Sequence, residues 1–134
     1  MKKTPRGIRN NNPGNIRYTG TQWVGLSIPP SDGEFCVFTE LKWGIRALAR
    51  VLKAYQSKYG INTVSGIIRR WAPSCENDTE AYIHSVCQQT GFGARSQLNL
   101  HDTETMAALV KAIIRHENGK QPYTDEQIME GLRC

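Results

Sequence analysis

The sequence predicts a helix-dominated α+β domain with a small, turn-rich β region. The first forty residues are dense in Asn, Gly and Pro, which mark turns, and they contain only short strand-like segments. From Thr39 onward, apolar residues recur at helical spacing. A chain of 134 residues is long enough for one hydrophobic core, so we expect a single domain over residues 1–134.

The predicted β region consists of two short strands within turn-rich sequence. "NIRYT" (15–19) is one predicted strand, and "EFCVFT" (34–39), whose residues alternate with a period of two, is the other. Between them, "SIPPSDG" (27–33) is predicted to be a loop because Pro, Gly and Ser favour turns.

Five helices are predicted in the remainder of the chain. The first has Thr39 as its N-cap, ends at Gly60 and carries an apolar and aromatic stripe at Leu41, Ile45, Leu48, Leu52, Tyr55 and Tyr59. The other four are predicted from Thr63 to about Arg70, from Asp78 or Thr79 to Gly91, from about Thr103 to Glu117, and over "TDEQIMEGL" (124–132), which opens with a capping box between Thr124 and Gln127.

Composition and charge exclude several classes of protein. An apolar fraction of 39% and a charged fraction of 22% are ordinary for a globular domain, and no apolar run reaches the length of a membrane span. We therefore expect no stable membrane insertion.

The formal charge of +5 suits an anionic partner such as nucleic acid, a membrane surface or bacterial cell wall. Because the basic residues are scattered and no predicted helix has a dense basic face, nucleic acid is not expected to be that partner.

The cysteines and the amino-terminal residues bear on the compartment. Cys36, Cys75, Cys87 and Cys134 form no CxxC pair, so a zinc ribbon or thioredoxin-like motif is unsupported and free thiols are expected. "MKKTPRGIRNNNPGN" has two lysines but no apolar stretch behind them, and it is not a secretory signal peptide.

The helix end "AIIRHENG" (112–119) places a carboxylate on an apolar face. Glu117 extends the stripe formed by Met106, Val110 and Ile113, and Gly119 stops the helix. A carboxylate is disfavoured at this end, because the helix dipole is partly negative there. Acids in such environments are candidates for general-acid chemistry. The competing interpretation is that Glu117 reaches solvent from a frayed last turn.

Three segments carry a resemblance to a known family. "NNPGNIRY" together with "GIRALARVLKAY" resembles phage-encoded proteins of the lysozyme-like superfamily, and the Asn pair is similar to the "NN-x-x-GI" element of flagellar-type and autolysin-type glucosaminidases. In that family the catalytic Glu closes a helix shortly before the Asn pair. Here the residues upstream of Asn11 and Asn12, "MKKTPRGIRN", contain no acid.

The missing acid is found at the other end of the chain. "AIIRHENG" resembles the helix that ends in "E-S-G" in lytic transglycosylases, with Asn118 in place of Ser, and "WAPSCENDTEAYIHSV" resembles the later "E-T-x-x-Y-V" helix, with Tyr82 at the Tyr position. A circular permutation of the lysozyme-like fold restores the family's order. Adjacent surface termini make such a permutation possible, so we expect residues 1–10 to lie close to residues 120–134.

The resemblance implies cleavage of the β-1,4 glycosidic bonds of peptidoglycan by a lytic transglycosylase or a lysozyme-type glycosidase. Such cleavage needs a proton donor to the leaving oxygen. The resemblance gives that role to Glu117, with Glu76 and Tyr82 as catalytic helpers. The substrate-binding residues that it implies are Asn11, Asn12, Asn15, Trp71 and Thr79.

Each of these helpers has a structural interpretation as well. Tyr82 can be a core residue, the Asn residues can fix the "NNPGN" turn through side-chain to backbone bonds, and Trp71 can pack in the core. Glu76 can simply start a helix. A hydrolase also needs a second carboxylate, whereas a transglycosylase needs one acid, because the substrate's own C6 hydroxyl closes a 1,6-anhydro ring. The sequence offers no convincing pair, which favours the one-acid chemistry.

Other functions are less well supported by the sequence. "HEN" is not a zinc motif, since Lys120 stands where a second His belongs, and no cofactor or metal is implied. The alternative to an enzyme is a catalytically inactive virion structural or cell-wall-binding module. We expect a monomer that binds peptidoglycan glycan strands, is made in the cytoplasm of a bacterial host without a signal peptide, and acts on the wall from the periplasm or the virion.

Overall fold

The computed structural model describes residues 4–75 and 77–134, and its helices outnumber its strands. In chain order the elements of this described part are α1 (Arg6–Arg9), β1 (Leu26–Ser31), β2 (Cys36–Phe38), α2 (Leu41–Tyr59), α3 (Val64–Trp71), α4 (Thr79–Thr90), α5 (Thr103–Asn118) and α6 (Asp125–Arg133). The predicted helix-dominated α+β class with a small β region is confirmed. The short helix α1 was not predicted, because four residues are too few to show a helical period.

The β region is a two-stranded antiparallel sheet in which Leu26 pairs with Phe38 and Ser31 with Cys36. The prediction of a loop over residues 27–33 was wrong, since most of that segment forms β1. Its prolines are compatible with a strand here because a two-stranded sheet has only edge strands. The predicted strand over residues 15–19 was also wrong, because only an isolated bridge between Arg17 and Phe35 forms there.

The predicted helix boundaries agree with the structure to within one or two residues. The side chains of Thr63, Asp78, Asp102 and Thr124 cap α3, α4, α5 and α6, and Thr124 forms the predicted capping box with Gln127. Gly60, Gly91 and Gly119 end α2, α4 and α5 in the left-handed conformation. Thr39 is not the N-cap of α2; Glu40 occupies that position, and the Thr39 hydroxyl donates to the Gly25 carbonyl instead.

The main hydrophobic core lies between the helices. Its fully buried side chains come from α2, α3, α4, α5 and α6 and include Ile45, Leu48, Leu52, Ile67, Tyr82, Leu109, Ile113 and Ile128. A second, smaller core of Cys36, Phe38 and Ala47 joins the sheet to α2. No helix within residues 4–75 and 77–134 combines the length and the apolar character needed to cross a membrane.

The amino-terminal segment packs against the end of α5. The side-chain amide nitrogen of Asn118 donates to the Pro13 carbonyl at 2.8 Å. Gly7 lies so close to the same side chain that a Cβ on Gly7 would be 2.5 Å from Asn118 Oδ1. This brings a turn near the start of the chain to the C-terminal end of a helix more than a hundred residues later. Residues 1–3, part of the segment predicted to lie near residues 120–134, fall outside the described residues.

Candidate active site

Glu117 lies in the last turn of α5, between the helical core and the amino-terminal turn. The preceding residues Ile113 and Ile114 are fully buried, while Glu117 itself is half-buried. Both oxygens of its carboxylate accept a hydrogen bond from a side chain. Oε1 accepts from the amide nitrogen of Asn15 at 3.1 Å, and Oε2 accepts from the hydroxyl of Tyr82 at 2.8 Å. Within this structure Glu117 is therefore held in place, in contrast to the frayed helix end that the sequence left open.

The turn over residues 12–15 presents Asn15 to the carboxylate. The Asn15 backbone N–H donates to the Asn12 carbonyl at 2.9 Å, and Asn15 takes a left-handed backbone with φ of 52°. Asn tolerates this conformation better than most residues do. The turn thus directs the Asn15 side chain toward a helix end 102 residues later in the chain.

Tyr82 reaches Glu117 from the core. Its side chain on α4 is only 1% exposed, and its ring stacks on His116 with the two centroids 3.6 Å apart. Burial, followed by the negative charge of Glu117 and the hydrogen bond to it, raises the pKa of the Tyr82 phenol well above its usual value. Tyr82 is therefore a core residue, and its hydroxyl also contacts Glu117, so its structural role and its predicted position near the acid are compatible.

An open cavity of about 420 Å³ has Glu117 in its wall. The amino-terminal region contributes Asn15, Arg17 and Phe35 to the lining, and the helical part contributes Val51, Tyr55 and Trp71, with Asn77 from the segment before α4. The cavity is thus a cleft between the β region and the helices, and its described lining includes one carboxylate and several aromatic side chains. Ligand pockets combine apolar and aromatic surfaces with a few polar groups in this way.

A larger cavity, of about 680 Å³, lies among α4, α5 and α6. Its lining includes three alanines of α5 and a mixture of acidic and basic side chains, such as Glu104, Lys111 and Arg115. Glu117 is not among the residues that line it, so the larger cavity is not part of the candidate site.

Three residues predicted to bind substrate have structural roles instead. Asn12 is fully buried, where its amide nitrogen donates to the carbonyls of Ile16 and Cys36 and its Oδ1 accepts from the Ile16 N–H. Thr79 is 4% exposed and donates its hydroxyl to the Ala72 carbonyl at 2.6 Å. Asn11 donates to the Phe38 carbonyl and is not among the residues that line the cleft. Their polar groups satisfy backbone atoms, so we correct these three assignments.

The structure brings four of the remaining predicted residues together at the cleft. Asn15, Trp71 and Glu117 line it, and Tyr82 contacts Glu117 from behind. Glu76 lies outside the described residues, although its neighbour Asn77 lines the cleft.

Three other acids, Asp32, Glu34 and Asp78, have different partners. Asp32 accepts from the backbone N–H of Phe35 and the side chain of Asn10, and Glu34 forms ion pairs with Arg6 and Arg17. Asp78 caps α4. None of these three acids lines the cleft.

Several cleft residues were not predicted from the sequence. Tyr55 lies on the apolar stripe of α2, where nothing distinguishes a core residue from one at the edge of a cavity. Arg17 and Phe35 reach the cleft only because they pair across the isolated β-bridge, and the Arg17 guanidinium lies 5.1 Å from the centre of the Phe35 ring. His116 does not line the cleft, but its ring packs on Tyr82, which the sequence did not predict either.

The described residues offer no metal site of three or more His, Cys, Asp or Glu side chains. The four cysteines are free thiols, as predicted. Burial raises the pKa of the Cys36 and Cys87 thiols, which makes them poor nucleophiles at neutral pH.

Comparison with known proteins places this chain in a family with a bacteriophage member. The chain is 44% identical over 135 residues to Protein P5 of Pseudoalteromonas phage PM2, and the alignment covers 98% of this chain and 82% of the phage protein. The chain therefore belongs to the family of Protein P5. No family model matches it.

Proposed function

We propose that this protein cleaves the β-1,4 glycosidic bonds of peptidoglycan, with Glu117 as the general acid, on a circularly permuted fold of the lysozyme-like superfamily. The observation that carries the proposal is the Glu117 carboxylate in the wall of the cleft, held by Asn15 and Tyr82. A carboxyl group fixed at the edge of an open cavity is suited to proton transfer to a bound substrate.

The arrangement of Glu117 fits the requirements of a proton donor. Each carboxylate oxygen accepts one hydrogen bond from the protein, and it has a further lone pair that can carry the proton given to the glycosidic oxygen. As the proton leaves, negative charge develops on Glu117, and the two donors are already in place to stabilise it. Such preorganised donors lower the barrier without any rearrangement during the reaction.

The described cleft favours chemistry with one acid. Among its described lining residues Glu117 is the only carboxylate. In a one-acid reaction Glu117 first protonates the leaving oxygen, and the bond from that oxygen to the anomeric carbon breaks. The C6 hydroxyl of the same sugar then attacks the anomeric carbon and gives its proton to the Glu117 carboxylate, so a 1,6-anhydro ring forms and the acid is restored. Glu76 is the residue that would convert this to hydrolysis, as a base for an attacking water.

The surroundings of Glu117 suit a glycan of bacterial cell wall. Trp71, Tyr55 and Phe35 offer aromatic surfaces for sugar rings. Arg17 at the cleft and the formal charge of +5 suit a polymer whose peptide stems carry carboxylates. Family membership with a bacteriophage protein is consistent with a role in lysis of the host or in entry through its wall.

The test is digestion of purified peptidoglycan by the wild type, by Glu117→Gln and by Glu104→Gln, with soluble muropeptides recorded by mass spectrometry. Glu104 is an exposed acid at the start of the same helix and serves as the matched control. We expect fragments from the wild type and from Glu104→Gln, and a loss of at least about a hundredfold in rate for Glu117→Gln, as for general acids elsewhere.

The products also decide between the two reactions. Fragments lighter by one water identify transglycosylation, in which case Glu76→Gln should cleave at the wild-type rate. Reducing ends together with an inactive Glu76→Gln would identify hydrolysis by two carboxylates. If Glu117→Gln cleaves as fast as the wild type, Glu117 is not the acid. If the wild type releases no fragments, the protein is the inactive structural or cell-wall-binding module.

A further inference from the structure

Asn15 contacts Glu117 in a way that binding of a substrate does not require. Its side-chain amide nitrogen donates to Glu117 Oε1 at 3.1 Å, so one of its two N–H groups is already used by the acid. The geometry of this amide and of its neighbours points to a role in controlling Glu117.

The orientation of the Asn15 amide is fixed by its surroundings. Its Oδ1 is buried and has no hydrogen-bond partner in the described part of the chain. This oxygen faces Gly7, where an added Cβ would lie only 2.7 Å away. The opposite orientation would set a carbonyl oxygen against the Glu117 carboxylate, where two acceptors would face each other without a hydrogen bond. The Gly7 Cα–H groups are suitable weak donors for the buried oxygen.

Asn118 fixes the distance between Asn15 and Glu117. Its amide nitrogen donates to the Ile114 carbonyl within α5 at 2.9 Å and to the Pro13 carbonyl in the turn at 2.8 Å. Its Oδ1 also faces Gly7, 2.5 Å from the position of an added Cβ. The turn that carries Asn15 and the helix end that carries Glu117 are thus held together by a residue adjacent to the acid.

We propose that Asn15 is a positioning residue that controls Glu117, an inference that rests on the proposed function of Glu117 as the acid. The Asn15 amide holds Oε1, so the carboxyl group keeps one orientation at the cleft. It also donates to the charge that develops when Glu117 gives up its proton, which stabilises the transition state. Gly7 is the residue that makes this orientation of the amide possible.

The test compares Asn15→Gly with Asn11→Gly. Both residues are asparagines with left-handed backbones, at φ of 52° and 53°, so Gly removes each side chain without backbone strain. Asn11 donates to the Phe38 carbonyl, and nothing places it at Glu117. We expect kcat to fall about 10- to 100-fold in Asn15→Gly, the range for a lost hydrogen bond to a charged group, with KM within about twofold. Asn11→Gly should keep the wild-type kcat, and thermal unfolding of both variants reports any loss of fold.

The variant Asn15→Asp separates positioning from packing. Asn15→Asp keeps the size of the side chain but replaces the donor with an acceptor at neutral pH. We expect it to be no more active there than Asn15→Gly.

Three results would overturn the inference while the proposed function stands, each requiring an active wild type and an inactive Glu117→Gln. One is a raised KM with unchanged kcat in Asn15→Gly, which would return Asn15 to substrate binding. Another is an equal loss of kcat in Asn15→Gly and Asn11→Gly, which would make both losses structural. The third is full activity of Asn15→Asp at neutral pH. Failure of the proposed function is a different outcome, in which Glu117→Gln remains active or the wild type is inactive.

Discussion

Replacing Tyr82 with Phe removes a single hydroxyl and should leave the packing of the core intact. The ring is 1% exposed and stacks on His116, and both features persist in Tyr82→Phe. What is lost is the 2.8 Å hydrogen bond to Glu117 Oε2. A hydrogen bond to a charged group contributes roughly 1.5–3 kcal/mol to stability. Because Glu117 is half-buried, water can replace part of that bond, so we expect a loss of about 1–1.5 kcal/mol at pH 7.

Alkaline pH should abolish this difference in stability. Burial and the nearby Glu117 charge raise the pKa of Tyr82 in the folded protein above the value of 10.0 that applies when the chain is unfolded. A group of this kind stabilises the fold fully below pH 10, and the stabilisation is lost as pH rises above it. At pH 11 the loss for one buried phenol is about 1.4 kcal/mol, and Tyr82→Phe does not suffer it. The stabilities of wild type and variant should therefore converge near pH 11.

Urea denaturation followed by circular dichroism measures the difference in free energy of unfolding between wild type and Tyr82→Phe at pH 7 and at pH 11. Other titrating groups are common to the two proteins, so their contributions cancel. Tyr18→Phe is the control, because the Tyr18 hydroxyl makes no hydrogen bond with the described residues, and its free energy of unfolding should change by less than about 0.5 kcal/mol. A loss in Tyr82→Phe that is the same at both pH values, or that is absent at pH 7, would refute the reasoning.

Two further predictions concern the turn-rich region. The backbone N–H of Phe35, followed by the Asn10 amide, lowers the pKa of Asp32 from 3.8 to about 2; the stability that this gives is present above pH 3.8 and lost as pH falls through about 2. In urea denaturation, Asp32→Asn should therefore be less stable than wild type at pH 6 and about equal to it at pH 2. Gly44→Ala should lower the free energy of unfolding by roughly 3 kcal/mol or more, since its Cβ would lie 1.8 Å from the Asn11 carbonyl oxygen and neither backbone can easily move.

Each of these variants has a matched control. Asp125→Asn removes an exposed carboxylate on α6 and should change the acid dependence little by comparison. Gly66→Ala places a Cβ no closer than 3.0 Å to its neighbours, which are side-chain atoms, and should cost less than about 1 kcal/mol. Equal acid dependence of Asp32→Asn and wild type, or equal costs at Gly44 and Gly66, would contradict the structural explanation.

The helices were predictable from the sequence because their signals are local. Capping by Thr63, Asp102 and Thr124 and termination by glycine need only neighbouring residues, and the apolar period places one face of each helix in the core. The strands were harder to predict. Whether a segment with two prolines forms a strand depends on being at an edge of the sheet, and the sequence does not show where the edges are.

The candidate site was predictable only in part, because its contacts join segments that are distant in the sequence. The apolar face of α5 identified Glu117, but its contacts with Asn15 and Tyr82 depend on how distant segments pack. Asn11, Asn12 and Asn15 are alike in sequence and lie within five residues, yet only Asn15 contacts the acid. The difference arises from the turn geometry, in which Asn12 points into the protein and Asn15 points toward α5.

The hydrogen bond between residues 15 and 117 also fixes when the site can form during synthesis on the ribosome. The amino-terminal turn is made 102 residues before Glu117, an interval of about 5–20 s at 5–20 residues per second. Until α5 has emerged from the ribosome, the turn has neither Asn118 nor Glu117 to bind. A nascent chain that stops short of residue 117 contains the aromatic side chains of the cleft but not Glu117, so the proposed activity belongs only to a chain that extends past this residue.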